Sequence, residues 1–407
     1  MSRLKAPRGT FDVLPPDGHR RLRLLKLADE ILARAGYEYF ESPVFEDTEL
    51  FARGVGESTD IVQKEMFTFE DKAGRSLTLR PEATAAVCRA YAEHGMHKLP
   101  QPVKLWTWGP FFRHEAPQAG RYRQFTQLDA EVLGSDEPSV DAELILLLAE
   151  LLERAGVGET RLRLSSLGTA ESRREYADEL RAYLRAHEDE LSGDVRDRID
   201  ANPLRAFDSD HDGTRAVMDR APVLIERLSP EDAEHFEEVK ALLDAAGLDY
   251  EVDPTLVRGL DYYTRTVFEF ESGNLGAQRG VAGGGRYDRL VEQLGGPATP
   301  ANGWAAGIER ILLAAGESPK DGERPVFVAV VKPEAARQAF EIARQLRASG
   351  LFTEIEQSGR SVKGQFKHAD RIGARATVIV GDEIELKDMD TGEQRAVADV
   401  TEIVSSL

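Results

Sequence analysis

The sequence has a single cysteine, Cys88, among its 407 residues, which excludes an intrachain disulfide. Its eight histidines are scattered without the spacing of metal ligands, so we expect no fixed metal site. Apolar runs such as LILLLA at 144–149 are far too short to span a bilayer, and the N-terminus lacks the apolar region of a secretion signal. We therefore expect a soluble protein of the reducing cytoplasm, without membrane contact.

Basic residues are fewer than acidic ones, with 52 Lys and Arg against 72 Asp and Glu and a formal net charge of -20. Such an excess of acid usually argues against a nucleic-acid partner, because phosphate binding depends on Lys and Arg. The average hides local clusters, however, since Arg113, His114, Arg121 and Arg123 fall within eleven positions. Local cations of this kind decide the partner more than the net charge does.

The larger N-terminal part of the chain combines strand and helix patterns in an order typical of an α+β fold. Alternating aromatic and β-branched residues predict consecutive strands between 65 and 134, with one helix near 82–95. Apolar residues in helical spacing predict helices at 17–36 and 139–155. Consecutive strands of this kind favour a mainly antiparallel sheet flanked by helices.

Later segments differ from this pattern. Residues 170–247 are helical and acidic, which indicates a solvated helical insertion. The glycine-rich stretch 280–288 lies in a sheet-like region, where we expect a tight β-turn, and 303–316 reads as a helix that starts with small residues. After a linker at 317–325, strands alternate with helices, which predicts a small α/β domain with a largely parallel sheet.

The segment 109–131 has two possible interpretations. If 122–132 is a strand, alternation places Leu128, Ala130 and Val132 on the core side. An aromatic ring, an amide and two carboxylates on the other side suit a small ligand with anionic and cationic parts. The alternative, favoured by spacing alone, is a solvent-exposed face with surface salt bridges. The residues of this second face are Phe125, Gln127, Asp129 and Glu131.

Two further clusters also leave alternatives open. Glu82 and Thr84 stand at a predicted helix start, where a carboxylate either caps the helix or receives a substrate ammonium group. A second cluster crowds charge and two phenols beside a glycine, and consists of Arg258, Asp261, Tyr262 and Tyr263. This crowding suits either a buried polar ligand or a core tyrosine pair with a structural arginine.

The helix predicted at 361–372 has a row of cations and an apolar stripe. Asp370 is the only acidic residue among these cations, so the row could bind the phosphates of a nucleic acid. A solvated helix face explains the row equally well. The cations are Arg360, Lys363, Lys367, Arg371 and Arg375, and the stripe is Val362, Phe366, Ala369 and Ile372.

Taken in order along the chain, several segments resemble one family, the bacterial histidyl-tRNA synthetases, which are class II aminoacyl-tRNA synthetases. The segments are RPEAT, FRHEAPQAGRYRQFTQLDAEVLG, RGLDYYTRTVFEF, GGGRYD and GWAAGIERILLA. GYEYFESPVFE is similar to motif 1 of class II enzymes, 109–131 to motif 2 and 303–314 to motif 3. The resemblance covers essentially the whole chain.

The resemblance implies a class II catalytic core at 1–169 and 251–320, a helical insertion at 170–250 and an anticodon-binding α/β domain at 325–407. It implies a ligase that uses ATP, with Mg²⁺, to convert L-histidine to histidyl-adenylate. The histidyl group would then pass to the 3′ end of histidine tRNA, with release of AMP and pyrophosphate. Motif 1, with Pro43, implies a homodimer.

The same resemblance assigns roles to individual residues. Arg113 would contact the ATP α-phosphate, and Arg258 would lie between that phosphate and the histidine carboxylate; these two are the implied catalytic residues. The implied ATP-binding residues are Arg113, Glu115, Arg121, Tyr122, Phe125 and Arg310. The implied histidine-binding residues are Glu82, Ala83, Thr84, Arg113, Gln127, Glu131, Arg258, Tyr262 and Tyr263. The implied tRNA-binding residues are Gln118, Arg360, Lys363, Lys367 and Arg371.

Two positions depart from the family pattern. Ala116 stands where the family often has Arg, which would leave the acceptor-stem contact more to Gln118, and Thr126 stands where it often has His. Two other classes of protein remain as alternatives. One is a regulatory subunit of ATP phosphoribosyltransferase, which lacks the anticodon domain and tends to lose catalytic residues, and the other is a tRNA-like RNA sensor.

Overall fold

The structure is a computed structural model that describes residues 4–56, 59, 61–200, 202–256, 260–276, 279–316 and 324–407. The chain divides into two compact units, residues 1–316 and 317–407. Among the described residues, none of the helices has the length and apolar character needed to cross a membrane.

A large, mainly antiparallel sheet is the frame of the first unit, as predicted. In spatial order its described strands are β1 (Glu38–Tyr39), β5 (Val103–Phe112), β6 (Gln124–Leu133), β11 (Ala301–Gly307), β10 (Gly280–Arg286), β9 (Thr264–Ser272), β7 (Thr160–Ser166) and β8 (Glu251–Val252). The two outermost pairs, β1 with β5 and β7 with β8, are parallel. A smaller antiparallel sheet contains β2 (Phe45–Asp47), β4 (Ser76–Leu79) and β3 (Phe67–Glu70).

Helices pack on the large sheet and bury its apolar residues. The described helices of the unit are α1 (Asp17–Arg34), α2 (Thr48–Val55), α3 (Thr84–Glu93), α4 (Pro138–Arg154), α5 (Ala170–Ala186), α6 (Gly193–Arg198), α7 (Asp212–Met218), α8 (Pro230–Ala246), α9 (Leu290–Gln293) and α10 (Ile308–Ala314). The main core joins Leu148 of α4 and Phe236 of α8 to the β6 side chains Leu128, Ala130 and Val132. These three β6 side chains are fully buried, as the alternation predicted.

Two expectations about glycine-rich segments were wrong. Residues 280–286 form the interior strand β10 rather than a tight turn, and 301–307 form the strand β11, so that the helix after it begins only at Ile308. The reason is close packing of the strand backbones. A Cβ on Gly284 would lie 2.0 Å from the carbonyl oxygen of Gly303, so these glycines permit an approach that a side chain would block.

The stretch 170–250 is helical, as expected, and its last helix is not simply solvated. Phe236 and Leu243 of α8 are buried in the main core. At the start of the same helix, Asp232 accepts a hydrogen bond of 2.9 Å from Nε of Arg265 on β9. The division of the first unit into a core and a separate insertion stays a prediction.

The second unit is built on a mixed sheet covered by helices. Its strands, in spatial order, are β13 (Thr353–Ile355), β12 (Val326–Val330), β14 (Ala376–Val380), β15 (Ile384–Asp388) and β16 (Gln394–Ala396). Its helices are α11 (Ala336–Ala348), α12 (Val362–Arg371) and α13 (Val400–Ser406). The first three strands are parallel and the last two antiparallel, so the sheet is parallel in part.

The apolar stripe predicted on α12 was wrong at Val362, which is exposed. Gln365 is buried instead, because its side chain pairs with the backbone at the end of the interior strand β12. Its amide accepts a hydrogen bond from the backbone N–H of Val330 and donates to the carbonyl oxygen of the same residue, both at 2.8 Å. A polar residue can therefore anchor the helix, since its hydrogen bonds are satisfied.

Candidate active site

A cavity of about 720 Å³ opens on the large sheet of the first unit. Its walls come from β6, the loop that joins β5 to β6, the start of α3, and the strands β9, β10 and β11. The residues predicted for ATP or histidine that line it are Glu82, Thr84, Arg113, Glu115, Arg121, Tyr122, Phe125, Gln127, Tyr262, Tyr263 and Arg310. Residues far apart in sequence are thus brought to one place.

One face of β6 crosses the cavity from end to end. Phe125, Gln127 and Asp129 line it, and Glu131 follows on the same face with 2% of its surface exposed. The interpretation of this face as a solvent-exposed surface with salt bridges was therefore wrong. Packing against other segments buries both sides of the strand.

The loop between β5 and β6 presents two arginines joined by one carboxylate. Glu115 accepts a hydrogen bond of 3.1 Å from Arg121, and its other oxygen lies 3.9 Å from Nη1 of Arg113. Arg113 also donates from Nε to the carbonyl oxygen of Pro81 at 3.0 Å and lies over the ring of Phe125 at 5.3 Å. The Arg113 guanidinium is thus held from three sides at the cavity wall.

Arg310 reaches the same wall from α10. Its Nε donates to the carbonyl oxygen of Gly280 at 2.5 Å, which ties it to the start of β10. Burial lowers the pKa of Arg310, and the neighbouring Arg121 adds to this effect. Cations this close together are the arrangement that a polyanionic group would stabilise.

The start of α3 combines capping with a place in the cavity wall. The Glu82 carboxylate accepts hydrogen bonds from the backbone N–H groups of Thr84 at 2.8 Å and Ala85 at 2.9 Å, so it caps the helix. The Thr84 hydroxyl donates to Glu131 at 2.7 Å. Ala83 is buried between them and does not line the cavity. Both interpretations of Glu82 are therefore compatible with the fold.

At the far end of β6, the carboxyl group of Glu131 contacts the phenol of Tyr287, beside a pair of tyrosines. Tyr287 donates to Glu131 at 2.5 Å, and the rings of Tyr262 and Tyr263 lie 4.8 Å apart. Burial raises the pKa of Glu131 to about 8, while its hydrogen bonds from Tyr287 and Thr84 act in the opposite direction. The sequence interpretation missed Tyr287, although the residue lies in the GGGRYD segment that carried the resemblance.

A second missed group holds β6 in position. Glu309, one residue before Arg310, accepts hydrogen bonds from the backbone N–H of Thr126 with both oxygens, at 3.0 and 3.1 Å. Arg21 of α1 donates to Glu309 at 2.7 Å and to the Thr126 hydroxyl at 2.8 Å. Thr126, which departs from the family pattern, is therefore part of a network between α1, β6 and α10.

The residues predicted to bind tRNA do not line this cavity. Gln118 is exposed in the loop between β5 and β6, where its backbone pairs with Arg121. Lys363, Lys367 and Arg371 are exposed on α12 of the second unit, and Arg360 pairs with Glu356 at 3.1 Å. Arg258 lies outside the described residues.

The cavity has a cationic wall and a carboxyl-rich end. The first contains the arginines 113, 121 and 310, and the second contains Glu82, Asp129 and Glu131 beside the tyrosines. This division of charge suits two molecules bound side by side, one with phosphates at the cationic wall and the other with a protonated amine at the carboxyl-rich end. The described residues contain no group of three or more His, Cys, Asp or Glu that could hold a metal ion.

Comparison with known proteins identifies the family. The model described as Histidyl-tRNA synthetase matches residues 9–311, and the model described as Anticodon binding domain matches 325–407. A histidine–tRNA ligase of Rubrobacter xylanophilus is 50% identical over 97% of this chain and 96% of its own, and one of Halothermothrix orenii is 46% identical over 96% of both. The structure of apo S. aureus histidyl-tRNA synthetase superposes with a TM-score of 0.83 and 36% identity over 99% of both chains. The chain belongs to the histidyl-tRNA synthetase family.

Proposed function

We propose that the chain activates L-histidine with ATP and transfers the histidyl group to the 3′ end of histidine tRNA. Family membership supports this aminoacyl-tRNA ligase activity, with AMP and pyrophosphate as the other products. The observation that carries the site assignment is the single face of β6, which runs from Phe125 beside the arginines to Glu131 beside the tyrosines. We propose the cytoplasm as its location.

In the activation step, the histidine carboxylate attacks the ATP α-phosphate and pyrophosphate leaves. The reaction needs positioning and neutralisation of charge more than covalent help from the protein. Arg113, held by Pro81 and Glu115, is the proposed ligand of the α-phosphate. Arg121 and Arg310 are the proposed ligands of the outer phosphates, and Phe125 of the adenine ring.

We propose that Mg²⁺ enters with ATP on its phosphates, where it would share their negative charge. Glu269 on β9 lines the cavity and is the carboxylate proposed to face this ion, since Glu271 beside it accepts a hydrogen bond of 2.9 Å from Arg163. Arg258, the second proposed catalytic residue, belongs to the same step by family resemblance.

Selection of histidine is proposed to depend on Glu131 and Tyr263, with Tyr262 adjacent. A buried site built to hydrogen-bond both ring nitrogens rejects amino acids that leave its polar groups unpaired. The α-amino group is assigned to Glu82, Thr84 and Gln127. The burial of Glu131, at 2% exposure, supports a site of this kind.

Recognition of tRNA is proposed for two places, Gln118 in the first unit and the cation row of α12 in the second. The match of residues 325–407 to an anticodon-binding domain supports the second.

We also propose a homodimer through the motif 1 region, where Tyr39 and Phe45 are about half exposed. Sedimentation velocity would test it: a single monomeric species at micromolar concentration would contradict the dimer.

Exchange of pyrophosphate into ATP, measured with each of the twenty amino acids in turn, tests the activity. Exchange that depends on histidine alone is the expected result. Exchange with a different amino acid would overturn the substrate, and no exchange with any of them would favour a regulatory or RNA-binding protein instead. The anticodon-binding match argues against a regulatory subunit, which lacks that domain.

A further inference from the structure

Three carboxyl groups face the histidine end of the cavity, and their hydrogen bonds differ. Glu82 accepts two backbone N–H groups, and Glu131 accepts the hydroxyls of Thr84 and Tyr287. Asp129 is 1% exposed and lines the cavity, yet its buried Oδ2 has no hydrogen-bond partner among the described residues. A buried carboxyl oxygen without a partner is costly, so this group differs from the other two.

Asp129 is close enough to Arg80 for their charges to interact, but no described residue donates a hydrogen bond to its Oδ2. The cross-strand partner is Thr107 of β5, whose Oγ1 is also buried without a hydrogen bond to the described part of the chain. Arg80 donates from Nε to Pro110 and from Nη1 to Ser42, and its Nη2 is buried without a hydrogen bond to Asp129 or to any other described residue. Asp129 therefore contributes an acceptor that the described protein groups leave unused.

The residue two positions earlier on the same face shares this property. Oε1 of Gln127 is buried and has no hydrogen-bond partner among the described residues, and its side chain also lines the cavity. Residues two apart on a strand point to the same side, so the two unused acceptors stand next to each other at the cavity floor. Adjacent acceptors, one of them a carboxyl, suit a ligand group with several N–H donors and a positive charge.

We propose that Asp129 is a further substrate-binding residue, which accepts a hydrogen bond from the α-ammonium group of histidine beside Oε1 of Gln127. This inference rests on the proposed function. An ammonium group donates three hydrogen bonds, and each oxygen of Glu82 already accepts one from the backbone of α3, so a second carboxyl group can share the charge with it. Asp129 supplies the uncommitted carboxyl that such a charge needs in a buried site.

Asp129→Asn tests the assignment, because it keeps the shape of the side chain and removes its ability to become a carboxylate when a cation binds. The expected result is a KM for histidine raised about tenfold or more in pyrophosphate exchange, with the KM for ATP changed by less than about twofold. Two competitive inhibitors locate the contact. The Ki of histamine, which has the ammonium group, should rise as the KM does, whereas that of imidazolepropionate, which lacks it, should stay within about twofold.

Thr107→Val is the matched control, since it alters the cross-strand neighbour of Asp129 without touching the proposed ligand, and its KM for histidine should stay near that of the wild type. If the Asn variant does not fold, Asp129→Ser replaces it, and the same increases in the KM for histidine and the Ki of histamine are expected. An unchanged KM in a folded Asp129 variant, or equal increases in Ki for both inhibitors, would overturn the inference. Absence of histidine-dependent exchange in the wild type would instead overturn the proposed function.

Discussion

At the scale of single residues, the contacts that fix a charged side chain determine how precisely it can bind a ligand. Arg113 is fixed by Pro81, Glu115 and the ring of Phe125. A guanidinium held in this way presents a rigid fork of donors, whereas a lysine at the same place would present a mobile point charge. The geometry of the donors, and not the charge alone, is then the property that a phosphate would sense.

Arg113→Lys should therefore lower kcat for histidine-dependent pyrophosphate exchange by about 100-fold or more, the size found when a transition-state donor is removed. The melting temperature should change little. Arg161→Lys, on the exposed edge of the same sheet, is the control and should leave exchange unchanged. A kcat within about threefold of the wild type would contradict the role of Arg113.

Glu131 gives a second prediction at this scale. Burial raises the pKa of Glu131 from 4.5 to about 8 in the folded protein. Between pH about 4.5 and 8 the folded state keeps a proton that the unfolded state has released, so the stability that this carboxyl contributes is fully present only below pH about 4.5. The contribution is lost as the pH rises through about 8 and amounts to roughly a few kcal/mol.

The Glu131→Gln variant cannot titrate at this position. Relative to the variant, the ligand-free wild type should lose stability between about pH 4.5 and 8, measured as the melting temperature at several pH values. Glu171 is exposed, so the curve of melting temperature against pH for Glu171→Gln should instead run parallel to that of the wild type. Parallel curves for wild type and Glu131→Gln would show that the buried carboxyl does not titrate in this range.

At the scale of elements, the cavity depends on two strands, β10 and β11, that have glycines where their backbones approach each other. β10 and β11 meet through Gly284 and Gly303, and a Cβ on Gly303 would lie 1.6 Å from an oxygen of Glu131. The missing side chains therefore do two things at once: they let the backbones approach and they leave space for the carboxyl group. The same residues lower the intrinsic preference for a strand, which other contacts must offset.

Gly284→Ala should destabilise the protein by about 1–3 kcal/mol or more, because the added methyl group meets the Gly303 backbone and cannot be accommodated by a rotamer change. Urea unfolding measures the change in stability. Gly18→Ala on α1 is the control, since its Cβ would meet nothing within 4 Å. We expect that variant to gain about 0.5–1 kcal/mol, and a similar gain for Gly284→Ala would refute the packing argument.

At the scale of the whole molecule, a formal charge of -20 coexists with a proposed polyanionic partner. The cations are placed where phosphates are expected, with arginines on the cavity wall and a row of exposed side chains on α12. Net repulsion from the remaining acid weakens unspecific binding of nucleic acid. Specific contacts must then overcome it locally, which makes binding sensitive to salt.

Replacement of Lys363, Lys367 and Arg371 by Ala should raise the KM for histidine tRNA and leave tRNA-independent pyrophosphate exchange unchanged. The slope of log affinity against log salt concentration should become shallower by about 0.7 for each phosphate that the variant no longer neutralises. Arg337→Ala with Arg344→Ala on α11 controls for charge in the same unit. An unchanged salt slope in the triple variant would remove α12 from the tRNA interface.

The sequence by itself determined much of this protein. The periods of its apolar residues predicted α1, α4 and β3 to β6, and the order of its motifs identified the family. These signals are local, because alternation and helical spacing are set by neighbouring residues in the chain. The strands β10 and β11 were not predicted, for the same reason. Gly284 is needed because the backbone of Gly303 approaches it, and the residues next to Gly284 in the sequence do not indicate that contact.

Only the tertiary structure decided which polar residues are buried and what each one contacts. Spacing alone favoured an exposed face for Gln127, Asp129 and Glu131, and packing buries all three. Tyr287 reaches Glu131 from 156 positions away, and Oδ2 of Asp129 is left without a partner among the described residues. Burial and hydrogen bonding depend on segments that meet only after folding, so the pattern of one strand cannot contain them.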